Sequence, residues 1–231
     1  MLRAIIFDFN GIILDDEPFH FRAMCDAVAQ VGITITKEEY WNSYLPLDDW
    51  RCLAAICRAH TVELDPEQRE AILIAKSQNY RRLLRDQIPL FPGAVHFVRS
   101  ASQHYPLALA SGARRDEIEN TLQSAGLFPC FRVVVAAEDF TRGKPHPDSF
   151  LLALERLNES LNGQSSPIQP RECLVIEDAI GGVEGARAAG MRCMAVSNSY
   201  ARAQLMAADR IVGSLEEVEL DSLRGIFEEL S

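Results

Sequence analysis

Four groups of polar residues in this sequence have the side chains needed to bind an anion and a metal ion. Each group follows a short apolar run of the chain. In chain order they are Asp8-Phe9-Asn10-Gly11, Ser111-Gly112, Gly143-Lys144-Pro145 and Glu177-Asp178. Carboxylates bind hard divalent cations, whereas a hydroxyl, backbone N–H groups and an ammonium bind oxyanions. Together the four groups predict a site for a phosphoryl group and a divalent cation.

Each group also has an ordinary structural explanation. The Asp8 segment suits a turn at the end of a strand, and Ser111 suits the N-cap of a helix that begins near Arg115. Lys144 also fits an ordinary solvent-exposed lysine in a loop, and Asp178 fits the N-cap residue of another helix. Their order favours the functional interpretation, because the carboxyl ends of parallel strands meet at one edge of a sheet.

The elements that carry these groups are short, continuous apolar runs, which are typical of strands buried on both faces of a parallel sheet. The runs are Ala4–Phe9, Leu107–Ala110, Val133–Ala137, Cys173–Ile176 and Cys193–Val196. Helical periodicity separates most of them, which indicates βαβ units. Arg210–Val212 is a candidate sixth strand at the edge. The sequence therefore predicts the α/β class, with a Rossmann-like parallel sheet.

The long segment after the first strand has no strand pattern. Its helical periodicity lies in Phe19–Val31, Trp50–Ala59 and Pro66–Leu84. Asp65-Pro66 is a helix-start signal. We expect residues 16–87 to form an inserted helical subdomain, and residues 1–15 with 88–231 to form the α/β core. The alternative is one long crossover layered on the sheet, but a simple crossover needs far fewer residues.

The composition argues against several classes of protein. Apolar residues make up 48% of the 231 positions, enough for a large core. The net charge of -10 argues against binding to nucleic acid or to an anionic membrane surface, since the main electrostatic contribution would be repulsive. The six cysteines include no C-x-x-C pair, which argues against a zinc site. No apolar stretch reaches the ~18 residues of a membrane span, so we expect a cytoplasmic protein.

A dinucleotide-binding loop is an alternative explanation for the glycines that follow Asp178. Gly182 and Gly185 fit the last two places of G-x-G-x-x-G, but Ile180 occupies the first. Acidic residues at this strand end would also repel a pyrophosphate. Both observations argue against a dinucleotide site.

The four ordered groups resemble the haloacid dehalogenase-like hydrolase superfamily. The chain is most similar to its branch of β-phosphoglucomutase-like and phosphoglycolate phosphatase-like enzymes, and the similarity extends over nearly the whole chain. The helical insert matches the cap domain of that branch, and Asp178 with Gly181–Gly190 matches its acid-then-glycine helix. The resemblance implies Mg²⁺-dependent hydrolysis of a small phosphorylated metabolite by a monomer or homodimer.

The resemblance also implies a role for each polar group. Asp8 matches the nucleophile that forms an aspartyl-phosphate. The phosphate-binding positions are matched by Ser111, Gly112 and Lys144. The Mg²⁺ ligands are matched by Asp8, the backbone carbonyl of Asn10 and Asp178, with Glu177 in support. The ion would offset phosphate charge and align an in-line attack.

Asn10 departs from the family's pattern. Phosphatases of this family usually have a second aspartate here, which protonates the leaving alcohol and then activates water. An amide can do neither, and such assistance is typically worth about 10²–10⁴ in rate. Four explanations are open: a substitution introduced to trap substrate, a natural variant that is slow or needs little protonation of its leaving group, a non-catalytic phosphoryl-ligand binding protein, or deamidation of Asn10-Gly11 that restores an aspartate.

The cap of this family sets the substrate, and the candidate specificity loop here is Ser43–Arg51. The substrate-contact candidates are Tyr44, Trp50 and Arg51, together with His20, which matches a cap-hinge histidine of mutase-like members. Mutases tend to have a glycine and a basic residue in this loop, whereas this chain has Pro46 and two acids. A phosphosugar mutase is therefore the alternative activity and hydrolysis the expected one.

Dehalogenases of the family also lack the second aspartate, but they need no metal. The Glu177-Asp178 pair argues against dehalogenation, because two adjacent acids are best explained by a cation. A protein that only bound partner proteins would not need Asp8, Ser111 and Lys144 at corresponding positions after successive strands.

Overall fold

The computed structural model describes residues 1–45, 47–86, 88–161 and 166–228. The chain forms two compact units. The core unit is Met1–Asp15 with Leu90–Ser231, and the helical unit is Asp16–Pro89. The chain returns to the core unit at Leu90, which forms an isolated antiparallel bridge with Leu14.

Strands and helices alternate along the core unit, and the helical unit contributes the first four α-helices of the chain. The strands are β1 Ala4–Phe7, β2 Leu107–Ala110, β3 Phe131–Val135, β4 Cys173–Glu177, β5 Arg192–Val196 and β6 Arg210–Val212. The α-helices are α1 Glu17–Val28, α2 Lys37–Ser43, α3 Asp49–Ala59, α4 Pro66–Asp86, α5 Ala94–His104, α6 Arg115–Ser124, α7 Asp148–Ser160 and α8 Ile180–Ala188. No helix in the described ranges combines the length and the apolar character needed to cross a membrane.

The six strands form one parallel sheet in the order β3-β2-β1-β4-β5-β6. This confirms the predicted α/β class and the predicted edge strand at Arg210–Val212. The chain passes from β1 to β2 on one side and returns to β4 on the other. A ligand site in such a sheet lies beyond the carboxyl end of the strand where this reversal occurs, and Asp8 is the first residue after β1.

Five strand boundaries differ from the predicted ones by one or two residues: the end of β1, both ends of β3, the end of β4 at Glu177 and the start of β5 at Arg192. β1 ends at Phe7 instead of Phe9, because the Phe9 carbonyl accepts the N–H groups of Ile13 and Leu14 at 2.8 and 3.1 Å in a tight turn. β3 begins at Phe131, earlier than the predicted Val133, and the register with β2 is irregular there.

Both faces of the sheet are covered, as expected for a buried parallel sheet. Ala4 and Ile6 of β1 belong to a cluster that includes Phe150 of α7 and Val183 of α8. Phe7 points to the opposite face, where its ring lies 6.0 Å from that of Phe97 in α5. The packing of both faces fixes β1, and with it the position of the residues that follow it.

The helical unit contains α1 to α4, and none of its described residues belongs to a strand. Helix α2 was not predicted; it begins with a capping box in which Thr36 Oγ1 accepts from the Glu39 N–H at 3.1 Å. The helix start at Asp65-Pro66 is confirmed, since Asp65 Oδ1 accepts from the Gln68 N–H at 2.8 Å. The apolar centre of the unit is formed by buried residues that include Met24, Val28, Ile33, Tyr40, Leu53 and Ile56.

Candidate active site

Three carboxylates meet at the carboxyl edge of the sheet. Asp8 follows β1, Glu177 ends β4, and Asp178 comes next in the chain. One oxygen from each lies within 4.8 Å of the others, and all three residues are buried. Because buried like charges repel one another strongly at this distance, the cluster requires a cation.

Lys144 supplies one cation from the loop between β3 and α7. Its Nζ lies 2.5 Å from Asp8 Oδ1 and 2.6 Å from Glu177 Oε1. Burial acts against the charged form of this lysine, but the carboxylates of Asp8 and Glu177 outweigh it and raise the pKa of Lys144. The sequence placed these three side chains at one edge, and the structure brings them into direct contact.

One ammonium does not balance three carboxylates. Burial raises the pKa of Asp8 from 3.8 to about 6, although Lys144 acts in the opposite direction. Burial, then the charges of Glu177 and Asp8, raises the pKa of Asp178 well above its ordinary value. The cluster therefore retains an excess of negative charge among hard oxygen donors, which fits a divalent cation of the Mg²⁺ type.

Glu177 has the largest number of hydrogen bonds in this cluster. Its Oε2 accepts from the N–H groups of Asp178 and Ala179, both at 2.8 Å, while its Oε1 accepts from Lys144. A Cβ at Gly182 would overlap with the Glu177 carboxylate, so the glycine in α8 allows this close approach. Glu177 thus orients Lys144 and fixes the turn that precedes α8.

Backbone and side-chain hydrogen bonds fix the turn after Asp8 on both sides of Gly11. The Asp8 N–H donates to the Ile176 carbonyl at 2.9 Å. Gly11 has a φ of +79°, a conformation that L side chains rarely adopt, and its N–H donates to the Leu14 carbonyl at 2.9 Å. Its carbonyl accepts from Asn198 Nδ2 at 2.7 Å.

Asn198 and its neighbour Ser199 were not predicted as site residues. They follow β5, where Asn198 donates to the Gly11 carbonyl, and Ser199 acts against the rise in the pKa of Asp178 that burial causes. The signal was available in the sequence, because Ser197-Asn198-Ser199 follows an apolar run in the same way as the four groups that were identified.

Ser111 and Gly112 follow β2, the neighbour of β1 in the sheet. Ser111 is buried, its N–H donates to the Val135 carbonyl at 3.0 Å, and its Oγ accepts from the Ala113 N–H at 3.1 Å. The N-cap of α6 is Arg114, so the alternative that Ser111 caps this helix is wrong. Space is open where a Cβ of Gly112 would lie, which suits the approach of an anion.

Asn10 lies between the nucleophile candidate and Gly11 and is partly buried. It forms an isolated parallel bridge with Leu14, so its backbone belongs to the same fixed turn as Asp8. The backbone of Asn10 is therefore held in the turn that follows Asp8. Its side chain is an amide, which has no acidic proton.

The four candidates in the helical unit have different surroundings. Tyr44 is buried in the unit's apolar centre, and its hydroxyl donates to Glu39 Oε1 at 2.7 Å. Trp50 is 59% exposed, and the exposed Arg51 pairs with Asp48 at 3.4 Å. Pro46 of the predicted specificity loop lies outside the described residues.

The fourth candidate, His20, is partly buried and belongs to a polar network that includes the buried Asp16 and Lys76. Its Nε2 lies 3.1 Å from Asp16 Oδ2, and its Nδ1 lies 2.6 Å from Lys76 Nζ. Lys76 is 2% exposed and also pairs with Asp49 at 2.8 Å. Lys76 was not predicted, although it lies four residues after Ile72 and four before Tyr80, on the buried stripe of α4.

Comparison with known proteins gives a consistent family. A family model described as haloacid dehalogenase-like hydrolase matches residues 2–190. Fructose-1-phosphate phosphatase YqaB of Escherichia coli (strain K12) is 33% identical over 191 residues, which cover 81% of this chain and 93% of that protein.

Solved structures agree in fold. An aspartate-to-asparagine mutant of CbbY from Rhodobacter sphaeroides, in complex with xylulose-(1,5)bisphosphate, has a TM-score of 0.78 and 26% identity over 96% of this chain and 99% of that one. β-Phosphoglucomutase from Clostridium difficile has a TM-score of 0.78 and 24% identity over 99% of this chain and 98% of that one. With the four polar groups gathered at one sheet edge and the family match over most of its length, this chain belongs to the haloacid dehalogenase-like hydrolases.

Proposed function

We propose that this protein hydrolyses a small phosphomonoester, with Asp8 as the nucleophile and Mg²⁺ as the cofactor. The observation that carries the proposal is the Lys144 ammonium, which lies between Asp8 and Glu177 at 2.5 and 2.6 Å. A lysine held at the nucleophile is placed to neutralise the oxygens of a phosphoryl group there. The relative in E. coli is named for fructose-1-phosphate, which supports a phosphorylated sugar or similar metabolite as the substrate.

Mg²⁺ would be held by Asp8, Asp178 and the backbone carbonyl of Asn10. These are hard oxygen donors, and the buried carboxylates carry the negative charge that a divalent cation needs. When bound, the ion offsets the charge of the phosphoryl oxygens. Glu177 supports the arrangement through Lys144 and the backbone of Asp178.

In the proposed reaction, a carboxylate oxygen of Asp8 attacks phosphorus and the bond from phosphorus to the alcohol oxygen breaks. Lys144 and the Ser111 hydroxyl donate to the phosphoryl oxygens. The pKa of Asp8, raised by burial to about 6, leaves this carboxyl ionised at neutral pH. The leaving alcohol takes its proton from water, because Asn10 has none to give. Water then cleaves the aspartyl-phosphate and regenerates Asp8.

We further propose that the helical unit Asp16–Pro89 acts as the cap that selects the substrate. His20, Tyr44, Trp50 and Arg51 are its substrate-contact candidates. Burial in the unit's apolar centre makes Tyr44 the weakest of them, and exposure makes Trp50 and Arg51 the strongest.

Binding without turnover is the second candidate function, and Asn10 favours it. Acid–base assistance of the kind that Asn10 lacks is typically worth about 10²–10⁴ in rate. An aspartate-to-asparagine mutant of CbbY is described in complex with a bisphosphate, which supports retained ligand binding when an amide replaces a carboxylate in this fold.

Deamidation is the least supported explanation of Asn10. Ring closure requires the Gly11 nitrogen to attack the Asn10 side-chain carbon, and that nitrogen donates its hydrogen to the Leu14 carbonyl at 2.9 Å. We expect intact-mass and peptide-mapping data to show no +1 Da change at Asn10 after days at neutral pH.

The decisive experiment measures phosphate release with Mg²⁺ from an aryl phosphate and a panel of sugar phosphates. It compares the parent protein with Asn10→Asp and Asp8→Ala. The aryl phosphate is included because its leaving group needs little protonation. We expect a slow parent, a gain of about 10²-fold for Asn10→Asp, and no turnover for Asp8→Ala.

Other outcomes identify other functions. An Asn10→Asp variant that is as inert as the parent on every substrate, but binds phosphate with Mg²⁺, would leave the binding function and refute the hydrolase. An isomerised sugar phosphate without phosphate release would identify a mutase.

A further inference from the structure

We propose that Phe150 is a positioning residue for Lys144, whose ammonium its ring holds in place while Asp8 is converted to the aspartyl-phosphate. The proposal rests on the proposed function, since Lys144 acts there at the nucleophile. It adds a side chain of α7 to a site whose other members follow the strands or lie in the loop before α7. Phe150 is not proposed to touch the substrate.

The Phe150 ring is one of three partners of the Lys144 ammonium. Nζ lies over the ring, 5.0 Å from its centre, which is within the distance at which the negative face of an aromatic ring attracts a cation. The other two partners are the carboxylates of Asp8 and Glu177. An ammonium has three N–H donors, and two of them are accounted for by these carboxylates. The ring therefore adds an attraction that the two hydrogen bonds do not supply.

Spacing along the chain does not explain the contact between Lys144 and Phe150. The other two lysines of the chain also lie over aromatic rings, but each is in a helix and four residues before its ring. Side chains at that spacing meet because of helix geometry. Lys144 instead lies in a loop, and the start of α7 at Asp148 separates it from Phe150. The contact is thus produced by the way the loop folds back on its helix.

The core of the protein holds the Phe150 ring in place. The residue is fully buried and belongs to the cluster that includes Ile6 of β1 and Val175 of β4. Gly185 of α8 lies against the same ring, since a Cβ there would be 3.3 Å from Phe150 Cε2 and 3.3 Å from the His146 carbonyl oxygen. A ring fixed on these sides gives the flexible side chain of a lysine a rigid surface to rest on.

The attraction of the ring does not change during the proposed reaction. Asp8 carries a negative charge before the attack, but its oxygen is bonded to phosphorus afterwards. The Lys144 ammonium then exchanges this carboxylate for phosphoryl oxygens. Phe150 forms and breaks no bond, so its ring attracts the ammonium in both states. Charged groups that are held in this way need little rearrangement in the transition state.

The test changes the Phe150 ring in two steps. Phe150→Leu removes the ring, whereas a trifluorinated phenylalanine, incorporated at this position alone, keeps the ring and withdraws electrons from its face. A desolvated cation–π contact is typically worth about 30-fold. We therefore expect kcat/KM for an aryl phosphate with Mg²⁺ to fall by about 10–30-fold in Phe150→Leu and by about 3–10-fold in the trifluorinated variant. Each change is made in the parent and in Asn10→Asp, so that turnover is measured on both backgrounds.

NMR spectroscopy measures the contact without turnover. The chain has three lysines, so ¹³C-labelled lysine gives three sets of Cε–Hε signals, and Lys37→Arg and Lys76→Arg identify two of them. A ring beneath the ammonium shifts the Lys144 Hε protons upfield. We expect this shift to be lost in Phe150→Leu and kept in the trifluorinated variant, because the latter retains the ring.

Leu157→Ala is the control for a general loosening of α7. Leu157 is buried in the same helix and in the same cluster as Phe150. Its truncation should lower the melting temperature at least as much as Phe150→Leu does, while kcat/KM stays within about twofold of the parent. The Lys144 signals should not move in this variant.

Three results would overturn the role of the ring and leave the hydrolase intact. A trifluorinated variant as active as the parent would show that the ring only fills space. Lys144 signals that stay in place in Phe150→Leu would show that the ring and the ammonium are not in contact. A loss of activity in Leu157→Ala as large as in Phe150→Leu would assign the effect to α7 as a whole. By contrast, an absence of phosphate release on both backgrounds refutes the proposed function, and the part of Phe150 in it, even where the NMR signals report the contact.

Discussion

Gly11 lies directly against Asp178: a side-chain carbon on Gly11 would occupy the space of the Asp178 carboxylate. This contact joins the turn after β1 to the end of β4, the two central strands of the sheet. It requires a residue without a Cβ, and the left-handed φ of +79° at Gly11 requires the same.

Gly11→Ala is therefore expected to abolish Mg²⁺ binding and to destabilise the fold. The control is Gly32→Ala, which has a similar φ of +77° but open space where its Cβ would lie. Gly32→Ala should show only the backbone cost of about 1–2 kcal/mol. Urea unfolding and Mg²⁺ titration of both variants measure the difference, and equal effects would show that the overlap with Asp178 is unimportant.

Lys144→Met is expected to destabilise the protein strongly at neutral pH. It leaves three buried carboxylates without their ammonium, and breaking a buried ion pair typically costs about 3–5 kcal/mol. The loss should shrink as the pH falls toward 5, because the carboxyls then bind protons. Lys37→Met removes an exposed lysine whose ammonium lies 4.9 Å from the centre of the Trp41 ring, and it should cost no more than about 1 kcal/mol. A pH-independent deficit in Lys144→Met would contradict this account.

Asp8→Asn is expected to stabilise the metal-free protein above pH 6. The pKa of Asp8 is about 6 in the fold and near 3.8 as an ordinary carboxyl. Between these values the native state holds more protons than the unfolded state, so the free energy of unfolding falls as the pH rises. Removing the carboxyl should recover on the order of 2–3 kcal/mol at pH 8 and little at pH 4.

Urea unfolding of the parent and of Asp8→Asn in EDTA, at pH 8 and at pH 4, tests this prediction. Asp26→Asn, which removes an exposed carboxylate, is the control and should show no comparable gain. If Asp8→Asn were less stable than the parent at pH 8, the cluster would not be strained by excess negative charge.

The pKa of His20 is expected to depend on two neighbours, Asp16 and Lys76. Burial lowers its pKa, but the Asp16 carboxylate more than offsets this, and the pKa of His20 is raised overall. Lys76 acts against protonation from 2.6 Å. We therefore expect Lys76→Met to raise the pKa of His20 further and Asp16→Asn to lower it. The imidazole proton shifts in NMR spectra between pH 5 and 9 report both changes, with His20→Gln identifying the signal.

The same shift predicts a pH dependence of stability. A histidine whose pKa is raised on folding stabilises the native state below its unfolded value of about 6.5, and this contribution is lost as the pH rises through the folded value. The difference in unfolding free energy between the parent and His20→Gln should therefore decrease from pH 6 to pH 9. A constant difference would show that His20 contributes through packing on Tyr80, whose ring stacks on it at 4.2 Å, and not through its charge.

Much of the site was visible in the sequence because it depends on order along the chain. Apolar runs without period-2 alternation indicate parallel strands, and such strands bring their carboxyl ends to one edge. Asp8, Lys144, Glu177 and Asp178 follow from that rule. Helix α2 was not recognised because it has only 7 residues, although its start at Thr36-Lys37-Glu38-Glu39 fits the capping-box signature.

The sequence by itself determined the parallel α/β core, the helical character of residues 16–86 and the set of polar groups at the strand ends. Only the tertiary structure decided which partner each polar group has. Asn198 reaches Gly11 across 187 positions, and Lys76 is buried because α4 packs on α1. The physical reason is that a hydrogen bond depends on distances of about 3 Å, and the order of strands in the sheet sets those distances, whereas residue spacing along the chain does not.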